Sequence, residues 1–157
     1  MLLKYLCWPI KKFSSFNFNA SGMTAQRYRM DIISENVANA NTTRTQDGTP
    51  YRRKVVTFEQ RGENVGSFSN VFGRVTENYG GQGVRVAKVS EDTWNDVVMA
   101  YDPSHPDADE NGYVTYPNVN IVTEMTNLID ASRSYEANAT AFNASKTIAM
   151  KGLEMSQ

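Results

Sequence analysis

The spacing of apolar positions changes character twice along the chain. Between Ser21 and Asn39, Met23, Met30 and Val37 recur every seven residues, and Gln26, Ile33 and Ala40 take the alternate seam position. That spacing keeps one face of a helix in register and predicts a helix over 21–39. Ser21 is suited to cap its start, and "NANTT" (39–43) to end it, with Asn as a left-handed cap before β-branched Thr. Residues 44–116 lose this period. There "TPYRRKVVTF", "GVRVAKVS", "NDVVMAY" and "GYVTY" are short β-like runs, punctuated by glycines and with looser loops around 60–82. Val84, Val86 and Lys88 share one face of their run and Arg85, Ala87 and Val89 the other, so the alternation is only partial. From Pro117 onward the helical period returns. Ile121, Met125, Leu128, Ser132, Tyr135, Ala139, Phe142, Lys146, Ala149 and Leu153 step by 3 or 4. Pro117 suits a first helical turn, with Asn118 or Asn120 as the cap. About forty residues at about 1.5 Å each make a rod of about 60 Å.

The expected fold is therefore α+β. Long N- and C-terminal helices pair as an α-helical coiled coil, with a small β-rich module inserted between them. The expected division is an irregular segment at 1–20, a discontinuous helical domain at 21–43 and 117–157, and a β-rich outer module at 44–116.

Composition removes several function classes. With 157 residues the chain holds one ordinary domain or two small ones. A net charge of −1 gives no electrostatic case for nucleic acid or an anionic membrane. One Cys and one His exclude an internal disulfide and any metal site built from several His or Cys ligands. Cys7 lies in the irregular start, a poor place for a rigid nucleophile. The opening "MLLKYLCWPIKKFSSF" is apolar and then basic, the reverse of a signal peptide. It reads as a membrane-touching or export-related segment, or as an extended start ahead of the functional protein.

Two chemistries have partial signals. Asp107, Asp109, Asn111 and Gly112 match the opening of a calcium loop, and calcium binding is the alternative reading they raise. The twelfth position is Asn118, where the loop needs a bidentate acid, and Pro103 and Pro106 oppose the helix that should precede it. The turn-forming role of the same residues is the stronger reading. Asp92, Asp96, Asp102, Asp107, Asp109 and Glu110 could supply the carboxylate pair of a glycan hydrolase, but most sit in turns, where acids are solvated. No catalytic residue, cofactor or small-molecule substrate is expected.

The stronger clue is "ASRSYEANATAFNASKTIAM" (131–150), in which only Arg133, Glu136 and Lys146 are charged. Average composition gives about five in twenty. Its seam includes Ser132, Lys146 and several alanines, too thin for a monomer's core. The surplus uncharged surface reads as an assembly surface. Assembly residues expected on the two seams are Met23, Met30, Ile33 and Val37, and Met125, Leu128, Tyr135, Ala139, Phe142 and Ala149. The two helices are expected to be largely disordered in a free subunit, before about 44 and after about 117, because their shared seam is short and interrupted.

At this point the residues resemble a family. "SGMTAQRYRMDII" followed by "SENVANANTT" is similar to the N-terminal signature of bacterial flagellar rod and hook proteins. "YDPSHPDADENGYVTYPNVNIVTEMTNLIDASRSYEAN" (101–138) resembles the proximal-rod members more narrowly. The resemblance implies a structural subunit whose helices form the inner layer of a helical tube and whose β module forms the outer layer. It implies partners among other rod proteins, proximal and distal, and copies of itself. It also implies export by the flagellar type III apparatus without a cleaved signal peptide. Asn36, Asn39 and Asn41 would act as a helix stop and inter-subunit contact, beside the plainer role of capping. The residues before Phe13 depart from the family, whose members start close to the first helix.

Overall fold

The computed structural model describes residues 14–61 and 83–155. In chain order they form α1 (Ser14–Ala38), β1 (Lys54–Gln60), β2 (Val84–Glu91), β3 (Val98–Tyr101), β4 (Tyr113–Tyr116) and α2 (Ile121–Glu154). The fold is α+β, with two long helices and two two-stranded sheets, β1–β2 and β3–β4. Each strand lies in one of the β-branched and aromatic runs expected to form it. β1 and β2 run antiparallel. The Arg61 amide donates to the Gly83 carbonyl (2.8 Å) at one end, and the Asp92 amide to the Arg53 carbonyl (2.7 Å) at the other. β3 and β4 are also antiparallel, with Val98 opposite Tyr116 and Tyr101 opposite Tyr113. Gly112 turns the chain into β4 at φ 79°, and a Cβ there would stand 2.9 Å from the Tyr101 ring, so only glycine fits.

Three boundaries differ from expectation. α1 starts at Ser14, so 14–20 of the segment expected to be irregular is helical. Ser21 is not a cap: its hydroxyl donates to the Phe18 carbonyl (2.8 Å) and accepts from the Val84 amide (3.1 Å). Residues 1–13, with Cys7, and 62–82 of the loops expected to be loose lie outside the described residues. α1 ends at Ala38 as the Asn-rich stretch begins, but no described non-glycine residue has a positive φ. The left-handed cap is replaced by the Asn39 side chain, which donates to the Glu35 carbonyl (3.0 Å) and accepts from the Thr42 hydroxyl (3.1 Å). α2 starts at Ile121 with Asn120 as its cap, whose Oδ1 accepts from the Thr123 amide at 3.2 Å. Pro117 is buried ahead of the helix rather than in its first turn.

The described residues divide into two compact units, and each long helix contributes to both. One comprises 14–26, 58–61, 83–85 and 134–155. In it Phe16 meets Phe142 edge to face, with centroids 5.1 Å apart. Ala25 is buried, and Gly22 lets Asn138 approach so closely that a Cβ would stand 2.9 Å from Asn138 Oδ1. The other comprises 27–57 and 86–133. Its core joins Ile33, Ala40, Tyr51, Val114 and Ala131 to three buried polar residues, Asn36, Asp92 and Glu124.

Candidate assembly site

The buried polar residues of the second unit form one connected clasp. Asn36 sits on α1, Tyr51 and Arg53 lie just before β1, Asp92 follows β2, and Glu124 is in the first turn of α2. The Asn36 amide uses its full bonding capacity. Its Oδ1 accepts from the Tyr51 hydroxyl and the Lys54 amide (both 2.9 Å), and its Nδ2 donates to the Lys54 carbonyl (2.9 Å) and Glu124 Oε2 (3.1 Å). By pairing with both backbone groups of Lys54 it acts as a strand neighbour to the start of β1. A side chain that is only 1% exposed is tolerated because every donor and acceptor is met.

Glu124, also 1% exposed, is the centre of charge. Its Oε1 accepts from Arg53 Nε (2.8 Å) and Nη2 (2.7 Å), a forked pair that fixes the guanidinium. Arg53 Nη1 also reaches Asp92 Oδ2 at 3.5 Å. Asn118 closes the ring: its Oδ1 accepts from the Arg53 amide (2.9 Å), and its Nδ2 donates to the carbonyls of Asp92 and Asn95 (both 3.0 Å). Beside the clasp, Lys54 pairs with Glu35. The side-chain amide of Asn95 is the main influence holding the Asp92 carboxyl below its usual range, helped by the amides of Asn95 and Trp94 and by Arg53 against the cost of burial. Burial first, and then Glu35, Glu124 and Glu91, push the Tyr51 hydroxyl up to about 12. Its proton therefore stays on to donate to Asn36.

The arrangement ties these elements together. Arg53 and Asn118 are the residues the sequence reading missed. So is Glu124, whose signal was its seven-residue spacing to the small Ala131.

The expected seam residues are distributed unevenly. Ile33 is buried; Met23, Met30, Val37, Leu128, Ala139, Phe142 and Ala149 are partly buried; Tyr135 is just exposed. Met125 is 56% exposed, and the fully buried positions of α2 are Glu124 and Ala131. Along α2 the expected stripe thus turns outward at Met125 and lies partly inward at Leu128, Ala139, Phe142 and Ala149. In the second unit Ile121, Val122, Met125 and Ile129 face outward, and in the first Ile148, Met150, Leu153 and Met155 do so. Asn36 is wholly engaged within the chain, Asn39 caps α1, and Asn41 is exposed.

The calcium-like loop has other duties. Asp107 Oδ2 accepts from the Thr43 hydroxyl (2.8 Å), and Arg44 lies 3.8 Å from its other oxygen. The Asp109 amide donates to the Tyr113 carbonyl (2.9 Å), and its carbonyl accepts from the Gly112 amide (2.8 Å). Asn111 is exposed. His105 Nδ1 accepts from the Asp107 amide at 3.1 Å. Calcium should leave the thermal unfolding of the subunit unchanged; a micromolar affinity abolished by Asp107→Ala would contradict this.

Comparisons with known proteins agree at both ends of the chain. Residues 16–45 match the family described as "Flagella basal body rod protein", and residues 110–155 match "Flagellar basal body rod FlgEFG protein C-terminal". The chain is 46% identical over 149 residues to the flagellar basal-body rod protein FlgC of Bacillus subtilis, covering 91% of this chain and 97% of the relative. It is 46% identical to that of Borreliella burgdorferi, covering 92% and 97%. Against that of Salmonella typhimurium the identity is 37% over 142 residues, covering 90% and 96%. The clasp and the outward apolar faces of α2 are thus carried by a member of the FlgC family of flagellar basal-body rod proteins.

Proposed function

We propose that the chain is a structural subunit of the proximal part of the bacterial flagellar rod, assembling with itself and with other rod proteins into the shaft that transmits motor torque. Family membership supports the rod. The observation that carries the assembly reading is α2 itself, a 34-residue helix that fully buries only Glu124 and Ala131 while Val122 remains 75% exposed. Uncovered apolar surface on this scale marks an interface. In the assembled state α1 and α2 pair as a coiled coil toward the axis, neighbouring subunits cover their remaining apolar faces, and the β sheets form the outer layer. Among the described residues no helix is long and apolar enough to cross a membrane. In this reading the subunit takes its place in the basal body through protein contacts, after delivery by the flagellar type III export apparatus. Its chemistry is adhesive, and it performs no reaction. Tagged protein should cosediment with purified hook–basal bodies; a tagged, functional chain absent from them would refute the rod reading.

Phe142 offers a test of the seam. Phe142→Ala removes the ring that packs on Phe16 and should cost about 3 kcal/mol in the assembled state. The expected phenotype is lost motility with near-normal solubility of the subunit. Normal swimming would rule out an axial role for this stripe.

A further inference from the structure

We propose that the outer face of the β3–β4 hairpin docks on the outer face of α1 in a second copy of the chain, in a head-to-tail contact. The inference rests on the rod reading and assigns one interface within it. The strand register divides the hairpin into two faces. Ala100 and Val114 alternate onto the inner face, where Val114 is completely buried. Met99, Tyr101 and Tyr113 alternate onto the other, and Met99 and Tyr101 are 69% and 67% exposed. A sheet with one solvated face normally places polar residues there. This one places a methionine and two tyrosines, whose rings already meet edge to face at 5.3 Å. Such residues are enriched in protein interfaces.

Charge identifies the occupant. Within this unit residues 27–57 carry six basic and three acidic side chains, while residues 86–133 carry two basic and nine acidic. The connection between the hairpin strands carries Asp102, Asp107, Asp109 and Glu110; Asp107 is met by Arg44, and the last two are exposed and enter no ion pair among the described residues. The outer face of α1 supplies the complement. Arg27 and Tyr28 are exposed, Arg27 is likewise unpaired among the described residues, and Asp31 is the one acid a turn away. Arg27 would lie over a tyrosine of the partner hairpin, within reach of Glu110. Two unlike patches on one chain can pair head to tail and so repeat from copy to copy, the geometry that the rod reading calls for.

The test uses purified hook–basal bodies from cells whose only copy of the chain carries Cys7→Ser, Tyr28→Cys and Tyr101→Cys. Mild oxidation should yield a disulfide-linked dimer and higher multiples of this chain, absent when either new cysteine is present alone. Arg27→Glu and Glu110→Arg should each abolish swimming, and the double variant should restore it. Failure to cross-link in basal bodies that contain the protein overturns the proposal, as does a dimer from Tyr101→Cys alone or a product with a different protein. A double variant no better than either single one also counts against it. Absence of the protein from the basal bodies would instead remove the rod reading beneath it, so the two failures are distinct.

Discussion

Glu124→Ala should destabilise the second unit by about 3 kcal/mol, the low end of the range for breaking a buried ion pair. Glu124 is 1% exposed, and the Arg53 side chain beside it retains 24% of its exposure. Removing the acid leaves the guanidinium with only its 3.5 Å contact to Asp92 and strips one acceptor from Asn36 Nδ2. The cost comes from stranding these groups, not from the worth of the pair itself. Adding Arg53→Met should therefore restore part of the loss, although Arg53 and Glu124 touch and their effects will not add. Urea unfolding followed by circular dichroism on the purified subunit measures both. A single variant as stable as the parent would mean that the clasp does not hold this unit together.

The second large effect is expected at Asn36. Asn36→Asp preserves shape and keeps the acceptor used by the Lys54 amide and the Tyr51 hydroxyl. Its other oxygen then faces the Lys54 carbonyl and Glu124 Oε2, which are 2.9 and 3.1 Å from the present nitrogen. Two donors are lost and a second anion is introduced at a buried site, so the penalty should reach about 3 kcal/mol at neutral pH. The sign of the pH dependence follows. Burial and the neighbouring carboxylate raise the introduced group's folded pKa above its unfolded value. The variant is then least handicapped below the unfolded value and loses stability as pH rises through the folded one. Comparing urea midpoints of parent and variant from pH 4 to pH 7 tests this; a gap that widens on acidification would show that the amide's partners are misassigned.

Both residues were hard to value from sequence, for a physical reason. The helices and strands were legible because periodic burial and β-branched runs act locally. On α2 the apolar spacing runs through the partly buried Leu128, Ala139, Phe142 and Ala149, but it does not reveal that the most buried positions are Glu124 and Ala131 or that Met125 is exposed. The innermost line of α2 carries Glu124, Ala131 and Asn138, with those partly buried residues beside it, whereas Met125, about 100° from Glu124, faces outward. A helix that meets its own chain through a buried acid as well as apolar groups, and leaves Val122 and Met125 uncovered, cannot have its inward face read from apolar spacing alone. Asn36 was visible within the flagellar signature, yet its partners Lys54 and Glu124 are 18 and 88 residues away. No local pattern joins them. The start of α1 differs because Ser21 reads as a cap, although Phe16 stands seven residues before Met23 in the same series; Phe16 is held by a ring on the distant α2.

The clasp also moves the expected limit of order in a free subunit. It binds 27–57 to 86–133 through buried hydrogen bonds, whereas the end of α2 in the other unit presents Ile148, Met150, Leu153 and Met155 outward. A helix end with this much uncovered apolar surface gains order when neighbours cover it. Hydrogen exchange on the verified monomer and on the same chain in isolated rods measures this directly. In the monomer, slow exchange is expected in the helical residues 28–38 and 124–133, and fast exchange in 134–155. In rods the last segment should become protected as well. Strong protection of 134–155 in the monomer would contradict the claim that this end of α2 is built for assembly.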